Sequence, residues 1–302
     1  MNLLITGAWT SAKEAIPEIE KLGYSVSFLQ QEKDTLPVSY DWVEGIVGNG
    51  IFLYHEIEKF TNLRFIQLTS AGLDRVPAEY IREHQIHIQN ARGVYSGPMA
   101  EFAVAGVLSL YKQMRFFADN QKNHRWQKCR NLLELTGKTV CIVGCGSVGG
   151  ACAKRFAAFG CRVLGITAHP RRDPDYEHIL PMEQLNWILP QCDVLILTLP
   201  LTQSTRGLIG RERLALLKKS AVLVNLARGA IIDPSALEDR IDNLGGAVLD
   251  VFEQEPLPET SPLWDKKNVI VTPHNSFVGE YNQRRLTGLI LENLKSFTEE
   301  TI

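Results

Sequence analysis

An α/β fold with parallel sheets is what this sequence predicts, and three observations carry the prediction. Short apolar strands alternate with helical patterns along most of the chain, as βαβ units require. An apolar strand runs straight into a Gly-x-Gly-x-x-Gly turn at residues 144–149, with a helix-forming stretch behind it. The chain has 302 residues, 45% of them hydrophobic, enough for two domains with real cores. Net charge is −2 from 32 basic and 34 acidic side chains, so no basic face for nucleic acid or a membrane surface is expected. No apolar run reaches the roughly 20 residues of a membrane span. The opening residues lack a basic n-region and are too briefly apolar for a signal peptide, so they read as a first strand. The 6 cysteines form neither Cys-x-x-Cys pairs nor a cluster with histidine. Neither a metal site nor a disulfide framework is expected, and a reducing cytoplasm is the expected location.

In order, strands are expected at 3–5, 24–28, 45–47, 65–68 and 86–88, with a helix over 12–22 that stops at Gly23. From Ser96, an N-cap with Pro98 in the first turn, a long helix is expected to about residue 117. Its apolar positions (Phe102, Val104, Val107, Leu108, Leu110, Met114, Phe117) surround it, which marks a buried helix. A polar loop over 119–130 follows, carrying His124 and Trp126. A second α/β series then supplies strands at 139–143, 162–166, 194–199, 221–225, 246–250 and 269–272. After His274 only one amphipathic helix, 280–296, remains, and one helix cannot form a domain. It is therefore expected to return to the first domain. The predicted organisation is two Rossmann-like or flavodoxin-like domains with parallel sheets, the nucleotide domain inserted into the substrate domain. Residues 1–95 plus 276–302 form the substrate domain and 96–275 the dinucleotide-binding domain, with the active site expected in the cleft between them.

The glycine turn is the strongest physical motif. Gly144 permits a tight turn, Gly146 lets the backbone approach a pyrophosphate, and Gly149 lets helix and strand pack closely. Ser147 and Val148, opening the helix, supply amide donors at its positive end.

Five further stretches are LRFIQLTSAGLD at 63–74, LPLTQST at 199–205, NLARGAIID at 225–233, LDVFEQEPLP at 249–258 and TPH at 272–274. In this order and spacing, covering about residues 60 to 275, they resemble the D-isomer-specific 2-hydroxyacid dehydrogenase family. That group holds phosphoglycerate, glycerate and D-lactate dehydrogenases and the glyoxylate/hydroxypyruvate reductases. The length resembles its short members. The resemblance implies hydride transfer between NAD(P)H and a small 2-oxo acid or D-2-hydroxy acid. Such a reaction must anchor a carboxylate, polarise a carbonyl and deliver a proton. The resemblance gives Arg228 the carboxylate and carbonyl oxygen, His274 the general acid/base role, and Glu255 the task of orienting His274. A carboxylate beside an imidazole favours its protonated form. Ser70, Ala71 and Gly72 would offer backbone N–H groups to the substrate carboxylate. Asp250 would meet the nicotinamide carboxamide, and Pro200, Thr205 and Ala227 would line the cofactor groove. Tyr95, Arg115 and Trp126 have substrate-facing and structural readings of equal weight. The resemblance also implies a homodimer joined through the nucleotide domain, which the apolar helix and the Trp126 loop fit.

The cofactor pattern departs from that of an NAD enzyme. An NAD site places Asp or Glu at the end of the second strand, about 20 residues past the glycine turn, on the ribose 2′-OH. Here that place holds Thr167, then Ala168-His169-Pro170-Arg171-Arg172, and no acid before Asp173. Thr167 does not repel a 2′-phosphate, and Arg171 or Arg172 pairs with one, so NADP is the expected preference over NAD. A second class remains, a dinucleotide-sensing interaction protein of the corepressor type. Such proteins carry extended tails, and an end at Ile302 leads us to expect the enzyme. Phosphoglycerate, hydroxypyruvate, glyoxylate and branched 2-oxo acids all remain open as substrates.

Overall fold

The computed structural model describes residues 1–301, with side chains through Glu299. The chain divides into two units, Met1–Tyr95 with the segment from Gly279 onward, and Ser96–Val278. In the first, apolar runs bounded by turn residues form β1 (Asn2–Thr6), β2 (Ser25–Leu29), β3 (Gly45–Gly48), β4 (Phe65–Leu68) and β5 (His87–Gln89), all parallel, in the order β2-β1-β3-β4-β5. Helices α1 (Ala12–Lys21) and α2 (Ala78–Glu83) and a closing helix, Asn282–Thr301, belong to this unit. Strand side chains alternate between faces. Leu3, Ile5 and Phe65 therefore meet Ala15 and Ile19 of α1, while Leu4, Ile46 and Ile66 join Phe60 and Ile81 on the other side. The closing helix adds Leu286, Ile290 and Leu294, one stripe at four-residue spacing, to the α1 face. Tyr24 OH donates to the Leu294 carbonyl at 2.7 Å, and Asn293 Nδ2 donates to Gln67 Oε1 at 2.7 Å, so polar contacts tie the middle of this helix to the unit as well.

The second unit opens with α3 (Ser96–Tyr111) and α4 (Met114–Lys122). It continues through β6 (Thr139–Val143), α5 (Ser147–Ala158), β7 (Arg162–Thr167), β8 (His178–Pro181), α6 (Leu185–Ile188), β9 (Val194–Leu197), α7 (Arg211–Leu216), β10 (Val222–Asn225), α8 (Pro234–Arg240), β11 (Gly246–Leu249) and β12 (Val269–Val271). Its seven strands are parallel, in the order β12-β11-β10-β9-β6-β7-β8. Both faces are covered. Val140, Ile142, Val224 and Val248 lie beneath α3 and α5, and Cys141, Leu195, Leu223 and Leu249 face the opposite layer. Helix α3 approaches the sheet at Gly106, where a Cβ would stand 2.7 Å from Val248 Cγ1.

The long helix expected from Ser96 to residue 117 is instead two. It stops at Tyr111, and Gln113, at φ +53°, caps a new helix that runs on to Lys122 through the start of the expected polar loop. The amide of Gln113 donates to the Leu110 carbonyl at 3.1 Å, giving the broken end a local partner. Strand β8 is an addition that the pattern did not announce. It is a short edge strand ending on Pro181, a residue tolerated there because one side of the strand needs no donor.

Candidate active site

In a parallel sheet every strand ends on the same edge, so residues just past the strands of one sheet gather there. Gly144 follows β6, Thr167 ends β7, Pro200 follows β9, Arg228 follows β10, Glu255 follows β11 and His274 follows β12. The glycine turn meets its requirements position by position. Gly144 has φ +103°, and a Cβ there would stand 2.5 Å from the Leu199 nitrogen. At Gly149 a Cβ would stand 2.1 Å from the Gly144 carbonyl oxygen, so α5 rests directly on the turn. Gly146 differs: it is exposed, and a Cβ would meet nothing within 4 Å. Open space over the turn, at the start of a 12-residue helix with unpaired first-turn N–H groups, fits a pyrophosphate. Thr198 bolts the turn to the end of β9 by donating its hydroxyl to the Gly144 carbonyl at 2.7 Å. Between the glycines, Cys145 is buried, and burial pushes its thiol up to about 11. It is therefore a neutral thiol near pH 7 and adds no negative charge to a phosphate cradle.

Arg171 lies against this turn, its Nη2 donating to the Cys145 carbonyl at 2.7 Å, with half the side chain open to solvent. Arg172 is exposed, and Thr167 is half-buried as the last residue of β7. The Thr205 hydroxyl donates to the Pro200 carbonyl at 2.8 Å and accepts the Thr202 N–H at 2.7 Å, shaping the loop after β9.

Arg228, Glu255 and His274 hang from β10, β11 and β12, adjacent strands of the sheet. His274 Nδ1 lies 2.9 Å from Glu255 Oε2, and Glu255 Oε1 accepts the Phe252 N–H at 3.0 Å. The carboxylate thus fixes the ring and is itself fixed. Both side chains are about two-fifths exposed, at 42% and 38%, so the remaining ring nitrogen, Nε2, is the one free for chemistry. Gly229 joins the Arg228 loop to this pair: a Cβ there would stand 1.8 Å from the Phe252 carbonyl carbon. Arg228 is half-buried, with Nη1 donating to the Ala227 carbonyl at 2.7 Å, while Ala227 itself is buried and donates its N–H to Asn225 Oδ1.

His274 has φ +51°, a conformation uncommon outside glycine. Asp250 holds it there. The Asp250 carbonyl accepts the His274 N–H at 2.8 Å, Oδ1 accepts from Thr272 Oγ1 at 2.6 Å and the Asn275 N–H at 2.7 Å, and Oδ2 accepts the Ser276 N–H at 2.9 Å. Asp250 is fully buried, so a nicotinamide carboxamide would have to share oxygens already holding this loop. The sequence carried no signal for that clamp, nor for Thr198.

In the first unit, Ser70, Ala71 and Gly72 follow β4. The Ser70 hydroxyl donates to the Gly72 carbonyl at 3.1 Å, and Asn90 Nδ2 donates to the Ala71 carbonyl at 2.8 Å. Both carbonyls are thereby occupied. Among the described residues, no His/Cys/Asp/Glu cluster of metal-site geometry is present, and no helix is long and apolar enough to cross a membrane.

A family model described as D-isomer specific 2-hydroxyacid dehydrogenase, NAD binding domain, matches residues 104–276. A glyoxylate reductase of Korarchaeum cryptofilum is 31% identical over 247 residues, covering 80% of this chain and 74% of that protein. A D-3-phosphoglycerate dehydrogenase of Methanocaldococcus jannaschii is 33% identical over 243 residues, 79% of this chain, but the match spans only 46% of that longer protein. Among solved structures, a D-isomer specific 2-hydroxyacid dehydrogenase from Xanthobacter autotrophicus, in complex with NADPH, superposes with a TM-score of 0.82 at 27% identity, covering 99% of this chain and 95% of that one. A D-lactate dehydrogenase from Aquifex aeolicus, complexed with NAD and lactic acid, does so with a TM-score of 0.79 at 25% identity, covering 99% and 96%. With the family model matching more than half its length, this chain belongs to the D-isomer-specific 2-hydroxyacid dehydrogenase family and is an NAD(P)-dependent dehydrogenase by class.

Proposed function

We propose that the protein reduces the C2 carbonyl of a small 2-oxo acid of the glyoxylate or hydroxypyruvate kind, and that it prefers NADPH. The observation that carries the reading is the 2.9 Å pair of His274 Nδ1 and Glu255 Oε2 at the strand edge that also carries the glycine turn. The nicotinamide, when bound, supplies the hydride. His274 holds the matching proton on Nε2 and gives it to the carbonyl oxygen, as general acid, and takes it back in the oxidative direction. Glu255 keeps Nδ1 as a donor and so presents Nε2 to the substrate. Arg228 binds the substrate carboxylate and carbonyl oxygen through its planar fork. The backbone N–H groups at Ser70, Ala71 and Gly72 bind the carboxylate as well. Gly144, Gly146, Ser147, Val148 and Gly149 receive the pyrophosphate, Pro200, Thr205 and Ala227 line the groove, and Asp250 keeps the His274 loop in place. Thr167, Arg171 and Arg172 receive the 2′-phosphate. A charge-assisted contact of roughly 1.5–3 kcal/mol corresponds to about 10- to 100-fold in kcat/KM for NADPH over NADH.

The units carry named roles in this reading: residues 1–95 with 276–302 bind substrate, and 96–275 bind the dinucleotide. The protein works as a homodimer through the dinucleotide-binding unit, a reading supported by Trp126, 99% exposed. Six cysteines outside any paired motif suit the cytoplasm. The test is a reductase panel of 2-oxo acids with NADPH and NADH, run beside a His274→Ala variant. Turnover that the variant loses supports the reading. Cofactor binding with no turnover of any 2-oxo acid by the wild type would turn it toward a dinucleotide sensor, and equal use of NADH would remove the NADPH preference.

A further inference from the structure

We propose that Asp173 is a cofactor-selectivity residue that holds down affinity for 2′-phosphorylated nucleotides; this rests on the assignment of Arg171 to the 2′-phosphate made above. The strand-end acid that would bind a ribose hydroxyl is absent, yet the first acid beyond it stands beside the arginine. Asp173 Oδ2 lies 3.7 Å from Arg171 Nη2, and the side chain is only 22% exposed. Its position is set from several directions. Oδ1 accepts the Asp175 N–H at 3.1 Å, and the Asp173 carbonyl accepts the Tyr176 N–H at 3.2 Å, closing a turn over Pro174. Tyr176 is buried at the glycine turn: a Cβ on Gly165 would stand 2.9 Å from its Cε1 and 2.5 Å from Cys145 Sγ. At the other end of the segment, Arg171 donates to the Cys145 carbonyl at 2.7 Å. Residues 171–176 are thus moored to the cofactor turn at both ends, and the carboxylate cannot swing far from the guanidinium.

That placement acts on one cofactor and not the other. A 2′-phosphate arriving at Arg171 brings up to two negative charges to a cation already partly compensated by Asp173, and like charges at this separation oppose each other. A ribose 2′-hydroxyl brings no charge and meets no such opposition. Asp173 therefore narrows the gap between NADPH and NADH that Arg171 opens, and removing its charge widens that gap. Asp173→Asn is the clean perturbation, because the amide oxygen still accepts the Asp175 N–H while the charge is gone.

The probes are adenosine 2′,5′-bisphosphate and 5′-AMP, which differ by the 2′-phosphate alone, titrated calorimetrically into the wild type, Asp173→Asn and Arg171→Ala. Asp173→Asn should bind the bisphosphate about 3- to 10-fold tighter, shift 5′-AMP by less than about twofold, and lose most of that gain at about 0.5 M salt. An unchanged or weaker bisphosphate affinity, or an equal shift for both probes, overturns the proposal. If Asp173→Asn does not fold, Asp173→Ser, which also keeps a side-chain acceptor, is read by the same criteria. Arg171→Ala separates the two layers. Bisphosphate binding unaffected by it removes the Arg171 assignment itself, whereas a loss there with no gain in Asp173→Asn removes only the role of Asp173.

Discussion

Two glycines in one turn should respond in opposite ways to the same added methyl group. In Gly149→Ala the new Cβ would lie 2.1 Å from the Gly144 carbonyl oxygen, a contact that only backbone movement relieves. Overpacking of this kind costs about 1–3 kcal/mol, and a domain of this size loses about 2–4 °C of Tm per kcal/mol. The expected fall is thus about 4–8 °C in the unliganded protein for a mid-range cost of about 2 kcal/mol. In Gly146→Ala the Cβ meets no protein atom within 4 Å and φ is −79°, which alanine adopts freely. The unliganded protein should keep its Tm or gain slightly, because alanine restricts the unfolded chain. The penalty falls on the nucleotide, whose pyrophosphate would meet that methyl group. At a ligand concentration 100 times Kd, binding stabilises the wild type by about 2.7 kcal/mol. A tenfold loss of affinity cuts this to about 1.4 kcal/mol, halving the thermal shift on adding NADPH. Scanning fluorimetry on both variants, with and without NADPH, reads all four quantities. A Gly146→Ala variant that melts early without ligand, or that keeps the whole cofactor shift, would refute the reasoning.

His274→Ala should lower kcat about 10²–10⁴-fold while the Kd for NADPH, measured by fluorescence titration, stays within about threefold. Arg228→Lys, which keeps the charge but loses the fork, should raise KM for the 2-oxo acid at least about tenfold and leave NADPH binding intact; a KM unchanged in steady-state kinetics would detach Arg228 from the substrate. Asp250→Asn should lower kcat and Tm together, since the buried carboxylate accepts from Thr272, Asn275 and Ser276, and rate loss without thermal loss would contradict its clamp role. Burial raises the thiols of Cys145 and Cys152 to about 11 and about 12, above the roughly 8.5 of an unfolded cysteine. Their contribution is therefore complete below about pH 8.5 and fades as pH rises through the folded values, so Tm should fall between about pH 9 and 11; a Tm flat across that window would contradict the assignment.

The sequence made the glycine turn legible because each glycine there answers a local need: a left-handed turn at Gly144, a contact at Gly149, open space at Gly146. Most strands could be found for a similar reason, since both faces of these parallel sheets are buried and their strands read as short unbroken apolar runs. What escaped depends on distant partners. The break at Gln113 leaves no glycine or proline to mark it, and β8 is a strand only because β7 offers its edge. Arg228, Glu255 and His274 could be nominated from their motifs, but the positive φ of His274 and the Asp250 clamp arise from hydrogen bonds between segments about 25 residues apart. Asp173 could be seen in the sequence as a late acid. Its nearness to Arg171 follows from the packing of Tyr176 against the glycine turn.

The first unit is written in two pieces, and that sets a timetable for the chain as it is made. Residues 1–95 leave the ribosome with Leu3, Ile5, Ala15 and Ile19 in place but without Leu286, Ile290 and Leu294, which complete the same cluster. At about 5–20 residues per second, roughly 10–40 s of translation separates the two halves of that core. By the close of that interval the second unit, contiguous in sequence, has every strand it needs, whereas the first still exposes an apolar face with no cover. The growing polypeptide is thus most open to chaperone capture or aggregation through its N-terminal sheet, and release of the last helix ends that exposure.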